Sequence, residues 1–227
     1  MVFRILVVGL LCAAAVPACV RGDVLISLQG STIPTGGTGL VDVFISSNAP
    51  VTAPDIIDSF SVKFRITPQA GSVSSGLQFI DPQSDSQLQL PHYIYQGNSL
   101  FAPGPLGAVS TASNTNDTYI AGDATLDGQG RSLDINSTPL LLFRLDLSAA
   151  TAANGDRFSL EMLNDPATSF LDTGFSQLNI DSSSYAPLTL TAVPEPGSVA
   201  VILAGTVAAA IRHRRRKRAA LPVKVTS

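Results

Sequence analysis

Asp123, Thr125, Asp127, Gln129 and Asp134 stand at positions 1, 3, 5, 7 and 12 of one string, with Gly128 at position 6. That is the order in which a calcium-binding loop presents its oxygens around a central glycine. Three features oppose calcium. Arg131 at position 9 puts a cation among the donors, Gly130 at position 8 supplies no apolar anchor, and Pro139 precedes an alternating run where a helix would be needed. The string reads as a solvated Asp/Gly turn, with calcium as the alternative. No metal and no other cofactor is assigned.

Asp55 with Asp58, or Asp81 with Asp85, has the composition of a glycosidase carboxylate pair. Such chemistry needs two carboxyls about 5–9.5 Å apart across a cleft. In a chain this rich in aspartate, chance pairs are inevitable, and hydrated turns are their ordinary role. His92 is the one histidine between residues 23 and 193, so a Ser-His-Asp triad would have to use it. No Gly-x-Ser-x-Gly elbow is present to supply its nucleophile. Tyr93 and Tyr95 flank Ile94, so one strand face can present two rings to a sugar, or the pair can pack. The reading is therefore of a protein that is not an enzyme.

The elements around these residues are strands. Phe60, Val62, Phe64 and Ile66 alternate with Ser59, Ser61, Lys63 and Arg65. Leu141, Phe143, Leu145 and Leu147 alternate with Leu142, Arg144 and Asp146, and Phe158, Leu160 and Met162 with Ser159 and Glu161. Period two marks half-buried strands. Further strands are predicted over 24–28, 40–46, 77–80, 119–121, 178–180 and 188–193. Gly/Pro/Asp/Asn clusters separate them, and residues 97–118 read as a long loop. The fold class is all-β: an antiparallel sandwich of jelly-roll type.

Charge divides the 227-residue chain. Residues 23–193 carry five basic and sixteen acidic side chains, a net of −11, whereas the last 29 residues carry seven basic and none acidic. Trp is absent, and the two cysteines, Cys12 and Cys19, both fall in the leader. That leader has a positive start at Arg4 and an apolar run over 5–16, the form of a secretory signal helix. Val20-Arg21-Gly22 fits a signal-peptidase site, with cleavage between Gly22 and Asp23. Val16-Pro17-Ala18-Cys19 as a lipoprotein box, and a retained N-terminal helix, are the other readings.

The C-terminus has three consecutive parts. Val193, Pro194, Glu195, Pro196, Gly197 and Ser198 form an extended motif, because proline lacks an N–H and fixes φ. An uncharged apolar run follows over 199–211. As a helix it spans about 20 Å, short of the roughly 30 Å hydrocarbon core. Arg212, His213, Arg214, Arg215, Arg216, Lys217 and Arg218 come next, and would hold their end on the cytoplasmic side. The predicted organisation is a signal peptide at 1–22, a β-sandwich at 23–191, a sorting signal at 192–218 ending in a short transmembrane helix and basic cluster, and a tail at 219–227. A permanent tail anchor, or a basic nucleic-acid patch, is the alternative for the C-terminus. The acidic body and the adjacent apolar run speak against nucleic acid.

The tripartite tail resembles the PEP-CTERM sorting domain of bacterial exported proteins. The resemblance implies export by the Sec machinery, an inner-membrane intermediate, processing by an exosortase, and delivery to the cell surface or extracellular matrix. The same tail occurs on some ice-binding proteins, so it speaks to sorting and not to activity. The order of strands over 40–46, 60–66, 77–79, 140–147 and 155–163 resembles cohesin-like and related carbohydrate-binding β-sandwich domains. These likenesses together imply a non-enzymatic envelope or matrix protein. The second reading is a carbohydrate-binding or adhesive module, calcium-assisted or not, with extracellular polysaccharide as partner.

Overall fold

The computed structural model describes residues 22–195, apart from 31, 74, 101–108, 113–116 and 184. The leader helix, the apolar run at 199–211, the basic cluster at 212–218 and the tail at 219–227 lie outside the described residues. Among the described residues, no helix is long and apolar enough to cross a membrane.

The alternating segments form strands and bury the apolar set of each. In chain order these are β1 (Val24–Gln29), β2 (Thr32–Pro34), β3 (Thr38–Ser47), β4 (Asp55–Ile57), β5 (Ser59–Pro68), β6 (Gln78–Phe79), β7 (Val109–Ala112), β8 (Thr118–Ala124), β9 (Arg131–Leu133), β10 (Leu140–Ser148), β11 (Arg157–Met162), β12 (Ser169–Leu171) and β13 (Leu188–Val193). A 3₁₀ turn spans Asp85–Gln89. One sheet has the order β1-β3-β10-β6 and the other β2-β13-β11-β5-β8-β7, with β12 also on β5; β4 and β9 form a ribbon. The pairings are antiparallel except β13 with β2, which is parallel.

The inner faces meet in one core. Val41, Val43, Ile45, Phe143, Leu145 and Leu147 from the first sheet and Val62, Phe64, Tyr119, Phe158 and Leu160 from the second are at most 1% exposed. Burying each large apolar side chain contributes about 1.5–3 kcal/mol. Alternation predicts that Leu142 points outward, yet it is fully buried. The register of β10 on β3 shifts between Leu141 and Phe143, so Leu142 is the extra residue of a bulge, where alternation lapses.

The outer edge of β10 is closed by side chains. Gln83 Nε2 donates to Asp146 O at 2.9 Å, and its Oε1 accepts Asp146 N–H at 2.5 Å. Gln87 Oε1 accepts the N–H of Arg144. Two buried glutamines thus stand in for a missing strand and remove an open edge.

Two expectations are corrected. Residues 178–180 form no strand: they follow a tight hairpin and make only the isolated bridge Val24–Ile180. The 97–118 loop contains β7 and the start of β8. The small strands β2, β4, β9 and β12 escape the sequence, because three residues are too few to show a period.

The sandwich has two distinguishable poles. At one, Thr35 N–H donates to Val193 O at 2.8 Å and Gly36 N–H to Ala149 O at 3.0 Å, joining the ends of both sheets where β13 finishes. This is the tail pole. At the other, Val24 N–H donates to Asn179 O at 2.8 Å and Ile135 N–H to Ala49 O at 2.8 Å. Here β1, β5 and β10 begin and β3, β8 and β12 end. This is the far pole. Gly22 packs there so tightly that a Cβ would lie 2.4 Å from the Ala49 backbone.

Candidate functional site

Along β8, Tyr119, Ala121 and Asp123 face inward, and Thr125 just beyond continues the alternation. An aspartate therefore enters the core at the far pole. Asp123 is 3% exposed. Its Oδ2 accepts the Tyr93 hydroxyl and the Ser99 hydroxyl, both at 2.5 Å, and its Oδ1 accepts Ala124 N–H at 2.7 Å. Beside it the Thr125 hydroxyl donates to Asp58 Oδ1, while Thr125 N–H donates to Asp58 O at 2.8 Å. On β4, Asp55 Oδ2 accepts the Ser47 hydroxyl at 2.6 Å. Three buried carboxylates are thus held by hydroxyl donors from neighbouring segments. Buried polar groups are kept in a core by hydrogen bonds of this kind.

The same contacts show where the sequence candidates lie. The oxygens of the Asp123–Asp134 string are not aimed at a common point. Asp123 and Thr125 turn into the sandwich, Asp127 Oδ1 accepts Asn98 Nδ2 at 2.8 Å and Gln129 N–H at 3.0 Å, and Asp134 Oδ1 accepts Asn136 N–H at 2.8 Å. The Asn98 amide holds the exposed Asp127 carboxyl below the usual range, with Gln129 N–H second. Among the described residues, no group of three or more His, Cys, Asp or Glu is placed to hold a metal.

Asp55 and Asp58 are engaged with Ser47 and Thr125, and Asp81, before the 3₁₀ turn, and Asp85, its first residue, are both exposed. His92 is exposed and stacks on Phe44, with centroids 6.3 Å apart. Tyr93 and Tyr95 are each 2% exposed, so the packing alternative holds and neither ring is offered to a ligand. They meet edge to face at 6.3 Å, and Tyr95 stacks on Phe60 at 5.9 Å. Burial raises both phenols well above the ordinary tyrosine range, and the Asp123 charge adds to it.

Of the C-terminal motif, Val193 is the last residue of β13, opposite Pro34 of β2. Pro194 is half-buried and Glu195 is exposed at the tail pole. Pro196, Gly197, Ser198 and the basic cluster Arg212, Arg214, Arg215, Arg216, Lys217 and Arg218 lie outside the described residues. Asp23 is tied into the fold by its N–H to Asn48 Oδ1 at 2.6 Å.

Sequence reasoning missed two features. Arg144 forms a bidentate pair with Asp42 directly across β10 and β3, at 2.6 and 2.9 Å. Hydrogen bonding to Asp42 raises the guanidinium pKa further. Only the strand register reveals this pair. The second is Phe175, which has a positive φ of 59° and is 77% exposed. The neighbouring Asp172-Thr173-Gly174 string announces a turn, but nothing local announces its conformation.

No family model matches the chain, and no curated protein matches its sequence. Solved structures do. The sixth cohesin of scaffoldin B from Acetivibrio cellulolyticus, solved in complex with a mutant Cel5 dockerin, aligns with a TM-score of 0.50 at 11% identity, covering 75% of this chain and 99% of that one. The seventh ScaB type I cohesin of Pseudobacteroides cellulosolvens gives 0.47 at 12% identity over 76% and 94%. A non-cellulosomal cohesin from Archaeoglobus fulgidus gives 0.45 at 14% over 78% and 95%. At these identities the likeness is one of fold: the body of this chain is a cohesin-like β-sandwich.

Proposed function

We propose that this chain is an exported, non-enzymatic binding module of the cell envelope or extracellular matrix, delivered by a C-terminal sorting signal. The observation that carries the reading is how β13 meets the motif. Val193 is hydrogen-bonded into the sandwich, and two residues later Glu195 stands exposed. The proline-flanked motif thus begins as the last described strand ends, with Glu195 exposed to a processing enzyme. In this reading the signal peptide occupies 1–22, an exosortase recognises 193–198, and the run at 199–211 holds the precursor in the inner membrane with 212–218 on the cytoplasmic side.

For the body, a protein partner is the ligand class we favour. The cohesin it resembles in fold is solved in complex with a dockerin, and the tyrosines that would make a sugar platform are buried.

The test is an intact-mass measurement on the full chain expressed in a host that encodes an exosortase. The surface form is expected to lack the 212–218 block, and Glu195→Gln to accumulate as a membrane-held precursor. Deleting 194–227 is expected to release the body without membrane retention. A mature surface form that still carries the basic block would instead establish a permanent tail anchor.

A further inference from the structure

Among the described residues, eight large apolar side chains are prominently exposed, and six belong to far-pole segments: Val51, Ile56, Leu100, Leu126, Ile135 and Phe175. The other two are Leu40 and Val73. Backbone bonds fix the placement. Ile135 N–H donates to Ala49 O, Leu100 N–H to Ala124 O, and Leu126 N–H to Asn98 O. Soluble domains scatter single exposed apolar residues, whereas a concentration at one end marks an interaction surface.

Phe175 is the strongest member. It sits in a hairpin closed by Phe175 N–H to Asp172 O at 2.9 Å and Asp172 N–H to Ser176 O at 3.0 Å. Its φ of 59° lies in the left-handed region, which a bulky L-residue disfavours. Burial of the ring does not compensate, because the residue is 77% exposed. Neither the backbone nor the core therefore accounts for phenylalanine here, and such outliers concentrate at ligand contacts.

Beside the hairpin is a depression of about 250 Å³ lined by Ala53, Pro54, Asp55, Ile56, Thr173 and Leu178. Gly130 backs it: a Cβ there would lie 2.6 Å from Ile56 Cγ2 and 3.2 Å from Thr173 Cγ2. Asp172 completes the lining. At the surface of this pole Asp127 is exposed and Asp134 half-buried, against the single basic residue Arg131.

We propose that the far pole is a docking surface for a protein that inserts an apolar side chain flanked by lysine or arginine, with Phe175 and Ile56 as its anchors. The proposal rests on the reading of the body as a binding module. Charge selects the occupant. A second copy would bring another body of net −11. The chain's own basic block at 212–218 is removed in the processing proposed above, so it does not occupy the surface of the mature module. The surface that recruits a partner points away from the end where the chain is sorted.

The test uses the protein recovered from the exporting host and a labelled peptide of alternating lysine and leucine around a central phenylalanine. Two control peptides replace lysine by glutamate, or leucine and phenylalanine by serine. Saturable binding of the first peptide is expected, weakened about tenfold or more in both controls and in Phe175→Gly and Ile56→Ser, as for anchor residues of an interface. Val73→Ser, near the tail pole, is expected to leave binding unchanged. Phe175→Gly is expected to keep or raise Tm, which separates lost docking from lost folding. Absence of binding, or binding to which the variants or controls are indifferent, overturns the proposal. A concentration-dependent dimer abolished by Phe175→Gly overturns it in favour of a second copy. The intact-mass measurement on the tail is independent of these outcomes, so failure of docking and failure of sorting are distinguishable.

Discussion

At the tail pole, Gly36, Gly71 and Gly155 occupy the turn positions with positive φ, and a residue without a Cβ adopts them freely. The acidic group of one of these turns, Asp156, is half-buried and accepts a nearby N–H, that of Ala153 at 2.8 Å. The far pole also uses glycine at positions 97, 128 and 130, but it places Phe175 in the same region of φ. It also buries Asp55, Asp58 and Asp123. Among the described residues, one pole follows local turn chemistry. The other departs from it in two ways, and departures of this kind are expected where function or long-range packing sets the residue.

The largest expected difference between the poles lies in their carboxylates. Asp123→Leu removes the acceptor of Tyr93, Ser99 and Ala124 at once. Buried donors left unpaired cost about 1–3 kcal/mol each, so a loss on the order of 4 kcal/mol is expected. Asp156→Ala leaves one N–H beside a surface turn and is expected to cost under about 1 kcal/mol. Urea unfolding of the two variants measures this directly, and equal losses would erase the contrast.

Two tyrosines sharpen it. Tyr93→Phe deletes a hydrogen bond to a charged group and is expected to cost about 2 kcal/mol. Tyr119 is fully buried, packs on Phe79 at 5.3 Å, and has the one buried side-chain polar atom without a partner among the described residues. Tyr119→Phe therefore loses no bond and sheds a desolvation penalty, so stability is expected to hold or rise. A loss as large as that of Tyr93→Phe would show that the Tyr119 hydroxyl has a partner.

The backbone contrast is smaller. Phe175→Gly is expected to stabilise by about 1 kcal/mol, and Gly155→Ala, whose new methyl meets nothing within 4 Å, to destabilise by about the same. Opposite shifts in Tm would confirm that strain sits at one pole only.

The smallest effect is with pH. In the folded chain the carboxyl of Asp127 is held low by Asn98, and that of Asp165 by Lys63 at 2.8 Å. The unfolded chain therefore binds more protons in the acid range. The stability these groups contribute is present above the ordinary carboxylate range and is lost as pH falls through their lowered values. Urea midpoints between about pH 6 and pH 2 are expected to fall less steeply in Asp127→Asn than in the wild type.

The sequence alone determined the long strands. Alternation through Phe60, Val62, Phe64 and Ile66, or Phe158, Leu160 and Met162, is a property of neighbouring residues, and it survives because one face of each strand is buried. The acidic body, the basic tail and the proline motif are equally local. Tertiary structure decided the rest. The Asp123–Asp134 spacing looked like one set of oxygens, yet Asp123 and Thr125 lie on a strand's inward face and meet Tyr93, Ser99 and Asp58, while Asp127 and Asp134 remain in loops. Gln83 and Gln87 seal an edge whose strand lies 57 to 63 residues away along the chain. The parallel pairing of β2 with β13 joins Thr32 to Thr191. Such contacts leave no periodic trace, because the partner of each residue is fixed by how the two sheets close on each other and not by its neighbours in the chain.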